Sequence, residues 1–147
     1  MPDSHTVAVL GGGSFGTVIA NIVATNGNRV SLWLRNWERA EGINQHRENR
    51  EYLPGYRLHE YLTATTALEE ALEGIDILFV AVPSKSFRDV VREVAQHVPA
   101  ATLVVSLTKG IEAGGFRLMS QILSEEMPAN PRAVLSGPNL ASEIAAG

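Results

Sequence analysis

The stretch Thr6-Val7-Ala8-Val9-Leu10-Gly11-Gly12-Gly13-Ser14-Phe15-Gly16 decides the fold. Its first five residues form a short apolar run with β-branched members, stopped by glycine, and read as a buried strand. Past the loop, Val18, Ile19, Ile22 and Val23 recur at helical spacing over residues 17–26, and Gly27 stands where a helix would stop. Glycines punctuate turns everywhere, so G-x-G-x-x-G alone says little. One that leaves a strand and opens a helix says more: Gly11 permits the tight turn, Gly13 lets backbone approach a pyrophosphate, and Gly16 allows close helix–strand packing. The free N–H groups at the helix start then face the phosphates, helped by the helix dipole. The stretch predicts a dinucleotide-binding unit.

The alternation continues along the chain. Residues 29–34 read as a second strand, and 36–61 as a short helix followed by an irregular segment. Thr66-Ala67-Leu68-Glu69 has capping-box spacing and opens a short helix that Gly74 closes. The most hydrophobic run, 75–82, reads as a central strand buried on both faces. Residues 86–98 predict an amphipathic helix with Phe87, Val90, Val91 and Val94 on one side. A strand over 102–107, a helix over 116–127, a last strand over 132–136 and a final helix from about Asn139 complete the pattern. Strands alternating with helices predict an α/β, Rossmann-type doubly wound fold, its sheet mainly parallel and covered by helices on both faces. The length of 147 residues suits one domain with a substantial core.

Bulk properties narrow the function. The net charge of −4, from 12 basic and 16 acidic residues, gives no support to nucleic-acid binding. An anionic ligand must therefore be held by local backbone donors and a few placed cations. No run approaches the roughly 20 apolar residues that span a bilayer. Cysteine is absent, which excludes disulfides and thiol chemistry and fits a cytoplasmic protein. His5, His46, His59 and His97 lie scattered, with no metal-ligand spacing and no nucleophilic triad.

In an open parallel sheet, ligands bind beyond the carboxyl ends of the strands. Those ends carry the glycine loop, Arg35-Asn36, Pro83-Ser84, Thr108-Lys109-Gly110 and Ser136-Gly137-Pro138-Asn139. An NAD site usually has an acid at the end of the second strand to bind the ribose 2′-OH. Arg35 stands there instead, with Arg39 nearby, and a guanidinium pairs with a 2′-phosphate. NADP(H) is therefore preferred, with NAD(H) possible, unless Arg35 is only a solvated charge at a strand end. Lys109 suits a substrate carbonyl or phosphate oxygen beside a nicotinamide, unless it is an ordinary loop lysine. Asn139 fits a helix cap as well as a ligand contact.

With these residues in place, the chain resembles the N-terminal domain of bacterial NAD(P)-dependent glycerol-3-phosphate dehydrogenase. The resemblance runs essentially end to end, through GGGSFGT at 11–17, LWLR at 32–35, IN at 43–44 and NREYLPG at 49–55. It continues through VAVPS at 80–84, TKGIE at 108–112 and LSGPNLASEI at 135–144. It implies reversible hydride transfer between NAD(P)H and dihydroxyacetone phosphate, giving sn-glycerol 3-phosphate for phospholipid synthesis. On matching positions Ser14, Phe15, Arg35, Asn36 and Tyr52 would contact the cofactor. Lys109 would touch cofactor and substrate, Gly137 and Asn139 the substrate, and Ala141 the cofactor.

Two departures stand out. Gly12 replaces a common Ala, a sterically harmless change, and Asn36 stands where a second basic residue often lies, leaving Arg35 less help with the 2′-phosphate. The resemblance also implies a helical C-terminal domain that clamps the substrate phosphate and carries the general acid/base lysine, expected beyond Gly147. Residues 1–147 thus read as a cofactor-binding fragment with no catalytic acid/base of its own, and the full-length protein as a homodimer. Two alternatives stay open on the residues alone: a hydroxy-acid or ketopantoate dehydrogenase with the same cofactor half, against which TKGIE and SGPNLA argue, and a stand-alone NADP-binding sensor.

Overall fold

A computed structural model of the chain describes residues 3–137 and 140–147. Six strands, β1 (Thr6–Leu10), β2 (Arg29–Trp33), β3 (Leu62–Thr65), β4 (Ile77–Val80), β5 (Leu103–Ser106) and β6 (Arg132–Val134), form one sheet in the order β3-β2-β1-β4-β5-β6. Every pairing is parallel, with Leu10 opposite Trp33 on one side and Val80 on the other. The order reverses between β1 and β4, the switch point where doubly wound sheets open a ligand crevice.

The helices are α1 (Ser14–Thr25), α2 (Trp37–His46), α3 (Leu68–Leu72), α4 (Ser84–Ala95), α5 (Met119–Glu126) and α6 (Ala141–Ala146). Alternation along β1 divides the core. Val7 and Val9 pack with Ala20 and Ala24 of α1 and with Ala40 and Ile43 of α2. Ala8 and Leu10 face the other way, onto Leu72 of α3, Phe87, Val90, Val91 and Val94 of α4, and Ile122 and Leu123 of α5. Both faces are covered, as the alternating pattern predicts.

Several elements differ from the sequence-based expectation. β3 was not expected: Leu62 and Ala64 turn inward while Thr63 is exposed, so only two apolar residues mark this four-residue edge strand. The capping box at Thr66 does not form, and α3 starts from Ala67 with no side-chain cap. The Thr66 carbonyl instead accepts from Trp33 Nε1 at 3.1 Å, and the Thr65 hydroxyl takes the Ala67 N–H at 3.0 Å. The helix predicted from 116 begins at Met119, because an antiparallel bridge between Ile111 and Leu118 folds 111–118 back on itself. On β4, Leu78 and Val80 are fully buried but Ile77 and Phe79 only partly so; that face meets the smaller cluster around Ile19, Val105 and Leu107.

Candidate functional site: a phosphate-binding crevice at the switch point

The glycine loop begins where β1 ends and continues directly into α1, which starts at Ser14, three residues before the predicted start. Gly11 takes φ +115°, and its N–H donates to the Trp33 carbonyl at 2.9 Å, which turns the chain sharply off the sheet. A Cβ on Gly11 would lie 2.5 Å from the Ala81 carbonyl oxygen, and one on Gly16 only 2.2 Å from that of Gly11. Gly13 is the opposite case: a Cβ there would meet nothing within 4 Å. Two glycines are thus required by packing, and the third leaves backbone facing open space, as close approach of a pyrophosphate requires. Gly13 caps α1 without a side-chain bond, and the first turn holds no acid. The N–H groups of that turn remain for an anion.

Around this loop lies a crevice of about 540 Å³. Its walls include Gly11 to Gly13 and Phe15 from the loop, Arg39 of α2, Tyr52, Pro83 and Ser84 at the start of α4, and Thr108 and Lys109 after β5. Those walls carry two cations and no carboxylate, although the chain as a whole is acidic. The donor set fits a dinucleotide: backbone N–H groups for the pyrophosphate, cations at either side, and apolar Phe15, Val82 and Leu107 for flat rings.

The segment 47–58 is tied onto the loop from outside. Fully buried Asn49 donates to the Gly12 carbonyl at 3.0 Å and to Thr17 Oγ1 at 2.9 Å, and accepts from the Tyr52 N–H at 3.3 Å. Thr17 in turn donates to the Gly13 carbonyl at 2.7 Å, and Ser14 Oγ to that of Tyr52 at 2.7 Å. The sequence alone marks no role for Asn49. Buried polar side chains with several backbone partners are how an irregular segment is fixed without secondary structure, and only its burial reveals that.

The other expected site residues divide. Lys109 Nζ donates to the Gly137 carbonyl, so two of the three positions expected to meet the substrate are brought together. Thr108 Oγ1 holds the turn against the segment after β4 through the Val82 carbonyl at 2.7 Å, and Gly110 (φ +122°) lets it lie against Ser84. Arg35 is exposed, its guanidinium 5.9 Å above the Trp33 ring, and does not line the crevice. Asn36 is the N-cap of α2, accepting from the Arg39 N–H at 2.8 Å. Ala141 opens α6, capped from Leu140, away from the described walls of the crevice. Gly147, beyond which the resemblance places the acid/base lysine, is the C-cap of the same helix. It takes φ +92°, its N–H donates to the Ile144 carbonyl at 3.3 Å, and it too lies off the crevice walls. Asn139 lies outside the described residues.

A charged network braces the Lys109 turn. Arg88 of α4 bonds Glu112 through Nε and Nη2, Glu125 at 2.8 Å and Glu126 at 2.6 Å, while Arg92 adds a second bond to Glu126 at 2.8 Å. These bonds hold the Glu126 carboxyl down at about 2 and push the Arg88 guanidinium up. Among the described residues, no group of three or more His, Cys, Asp or Glu side chains is placed to hold a metal ion. Among them, too, no helix is long and apolar enough to cross a membrane.

The family model for the N-terminus of NAD-dependent glycerol-3-phosphate dehydrogenase matches residues 6–147. A glycerol-3-phosphate dehydrogenase [NAD(P)+] of Saccharophagus degradans is 54% identical over 144 residues, covering 98% of this chain and 40% of that protein. One of Alcanivorax borkumensis is 52% identical over 142 residues, covering 97% and 41%. The crystal structure of glycerol-3-phosphate dehydrogenase from Coxiella burnetii superposes with a TM-score of 0.90 at 36% identity, over 97% of this chain and 44% of that one. The chain therefore spans about 40% of the length of the curated relatives it matches. It belongs to the family of NAD-dependent glycerol-3-phosphate dehydrogenase N-terminal domains.

Proposed function

We propose that this chain is the cofactor-binding half of an sn-glycerol-3-phosphate dehydrogenase that reversibly reduces dihydroxyacetone phosphate to sn-glycerol 3-phosphate for glycerophospholipid synthesis. The observation that carries the reading is the Lys109 ammonium at the crevice wall, bonded to the Gly137 carbonyl. It joins the turn after β5 to the one after β6, beside the glycine loop. The relatives' name, glycerol-3-phosphate dehydrogenase [NAD(P)+], supports the same activity.

When bound, the cofactor supplies the hydride. The first turn of α1 takes the pyrophosphate on its N–H groups. Lys109 holds the substrate carbonyl oxygen by a charge-assisted hydrogen bond that strengthens as negative charge develops there, with Gly137 and Asn139 beside it. Such a reduction also needs a proton donor. We assign it to a lysine beyond Gly147, in a helical C-terminal domain, so the isolated chain binds cofactor without turnover. NADPH is preferred and NADH accepted, because β2 runs into Arg35 and Asn36 with no acid at its end to take the ribose 2′-OH. The full-length enzyme acts in the cytoplasm as a homodimer.

The test is NADPH oxidation by the full-length polypeptide, with dihydroxyacetone phosphate, ketopantoate and small 2-keto acids offered in parallel. Turnover with dihydroxyacetone phosphate alone supports the assignment. Turnover confined to ketopantoate or a keto acid replaces it with another two-domain dehydrogenase.

A further inference from the structure

Arg39 is the side chain that the proposed chemistry leaves unexplained. It sits one turn into α2 and reaches back to the glycine loop, where Nη1 donates to the Gly12 carbonyl at 3.3 Å. Its guanidinium lies 4.6 Å from the centroid of the Tyr52 ring, within cation–π range. The side chain is only 22% exposed and lines the crevice on one side and a hollow beside Glu48 and Glu51 on the other. Its Nε lies 3.3 Å from a Glu51 carboxylate oxygen without hydrogen-bond geometry. Among the described residues it is the one buried side-chain nitrogen or oxygen with no hydrogen-bond partner.

A guanidinium carries five N–H donors in a rigid fork, and leaving them unmet in a partly buried place costs free energy. Here one donor is satisfied by Gly12. The fork is held by Tyr52, by the glycine loop and by a helix whose start Asn36 caps through the Arg39 N–H itself. Such a cation is poised for an anion from the ligand. Its place identifies which one. Arg39 stands on the β2–α2 side of the loop, and in this fold the end of β2 reads the adenosine ribose. Arg35, by contrast, is exposed and stacked towards Trp33.

We propose that Arg39 is a specificity-determining residue that binds the 2′-phosphate of NADPH, supplying from one helical turn further on the second cation that position 36 lacks. The proposal rests on the cofactor assignment above. Glu51, 61% exposed, is the competing carboxylate; it swings into solvent when the phosphate arrives, and its charge weakens NADPH binding.

The experiment is titration of NADPH, NADH, 2′,5′-ADP and 5′-AMP into the full-length wild-type polypeptide and its variants R39M, R39K and E51Q, with melting curves alongside. R39M keeps most of the apolar stem and removes the charge. It weakens NADPH and 2′,5′-ADP by about tenfold or more, the size of one charge-assisted bond, and NADH and 5′-AMP by less than about threefold. R39K keeps the charge without the fork, falls between, and decides the matter if R39M melts early. E51Q tightens NADPH and leaves NADH unchanged. Equal loss for both cofactors, or no loss, overturns the proposal and leaves the dehydrogenase reading intact. A full-length wild type that binds neither dinucleotide overturns both.

Discussion

Asn49 and Gly12, 37 residues apart in sequence, are joined by a 3.0 Å hydrogen bond from the buried Asn49 amide to the Gly12 carbonyl. The same amide reaches Thr17 Oγ1, so a single side chain sets the outer wall of the crevice on the loop that forms its floor. Cofactor affinity and local stability should therefore be coupled through a residue that touches no ligand.

Asn49→Ala removes donors from the Gly12 carbonyl and Thr17 Oγ1 and leaves the Tyr52 N–H unmet. The expected cost is about 1–3 kcal/mol of stability, the usual range for a buried polar group losing its partner. Urea denaturation measures it, and NADPH titration should show weaker binding as segment 47–58 loosens. A variant as stable as wild type would mean that the segment is held by other contacts.

Gly16→Ala should damage the fold itself. Its Cβ would lie 2.2 Å from the Gly11 carbonyl oxygen and 3.2 Å from Ala81 Cβ, so α1 would have to move away from the sheet. Overpacking of this kind costs about 1–3 kcal/mol or more. A lowered melting temperature without cofactor is the expected readout; an unchanged one contradicts the packing role.

Acid should weaken the brace on the Lys109 turn. The Glu126 carboxyl is held at about 2, below its ordinary 4.5, by Arg92 and Arg88. A depressed carboxylate contributes its stabilisation in full above the unfolded value and loses it as pH falls towards the folded one. Arg88→Met should be less stable than wild type at pH 7, and the gap should narrow between about pH 4.5 and 2. Denaturation midpoints of both proteins across that range are the check; a gap independent of pH would assign the loss to packing alone.

Lys109→Met in the full-length enzyme should lower kcat/KM for dihydroxyacetone phosphate by roughly 100-fold or more, the scale of removing one donor to a developing oxyanion. Steady-state kinetics decide. A change confined to KM for the cofactor would move Lys109 out of the substrate site.

The parts legible in the sequence were those with a local physical signature. Gly11, Gly13 and Gly16 between an apolar run and a helical pattern announced the loop, and each takes the role its spacing implied: a turn, open backbone and close packing. Phe87, Val90, Val91 and Val94 announced the buried face of α4. β3 escaped because Leu62 and Ala64 alone form too short an alternation to count. The capping box at Thr66 misled because the Trp33 indole, 33 residues away, takes the Thr66 carbonyl. Arg35 drew notice as the charge just past β2, whereas Arg39 reaches the crevice from α2 and bonds the Gly12 carbonyl. Long-range contacts decide such cases, and no local pattern encodes them.

Gly13 is where binding of dinucleotide phosphates by the loop after β1 can be separated from folding. Its φ of −76° suits any residue, and a Cβ there meets nothing within 4 Å, so Gly13→Ala should alter stability by less than about 1 kcal/mol. The methyl group would instead occupy the space into which the pyrophosphate must come. Calorimetric titration of NADPH should show one site per chain in the wild type and at least about tenfold weaker binding in the variant, with the two melting temperatures within about 4 °C of each other. An unaltered affinity in the variant would mean that the dinucleotide phosphates do not lie on this loop.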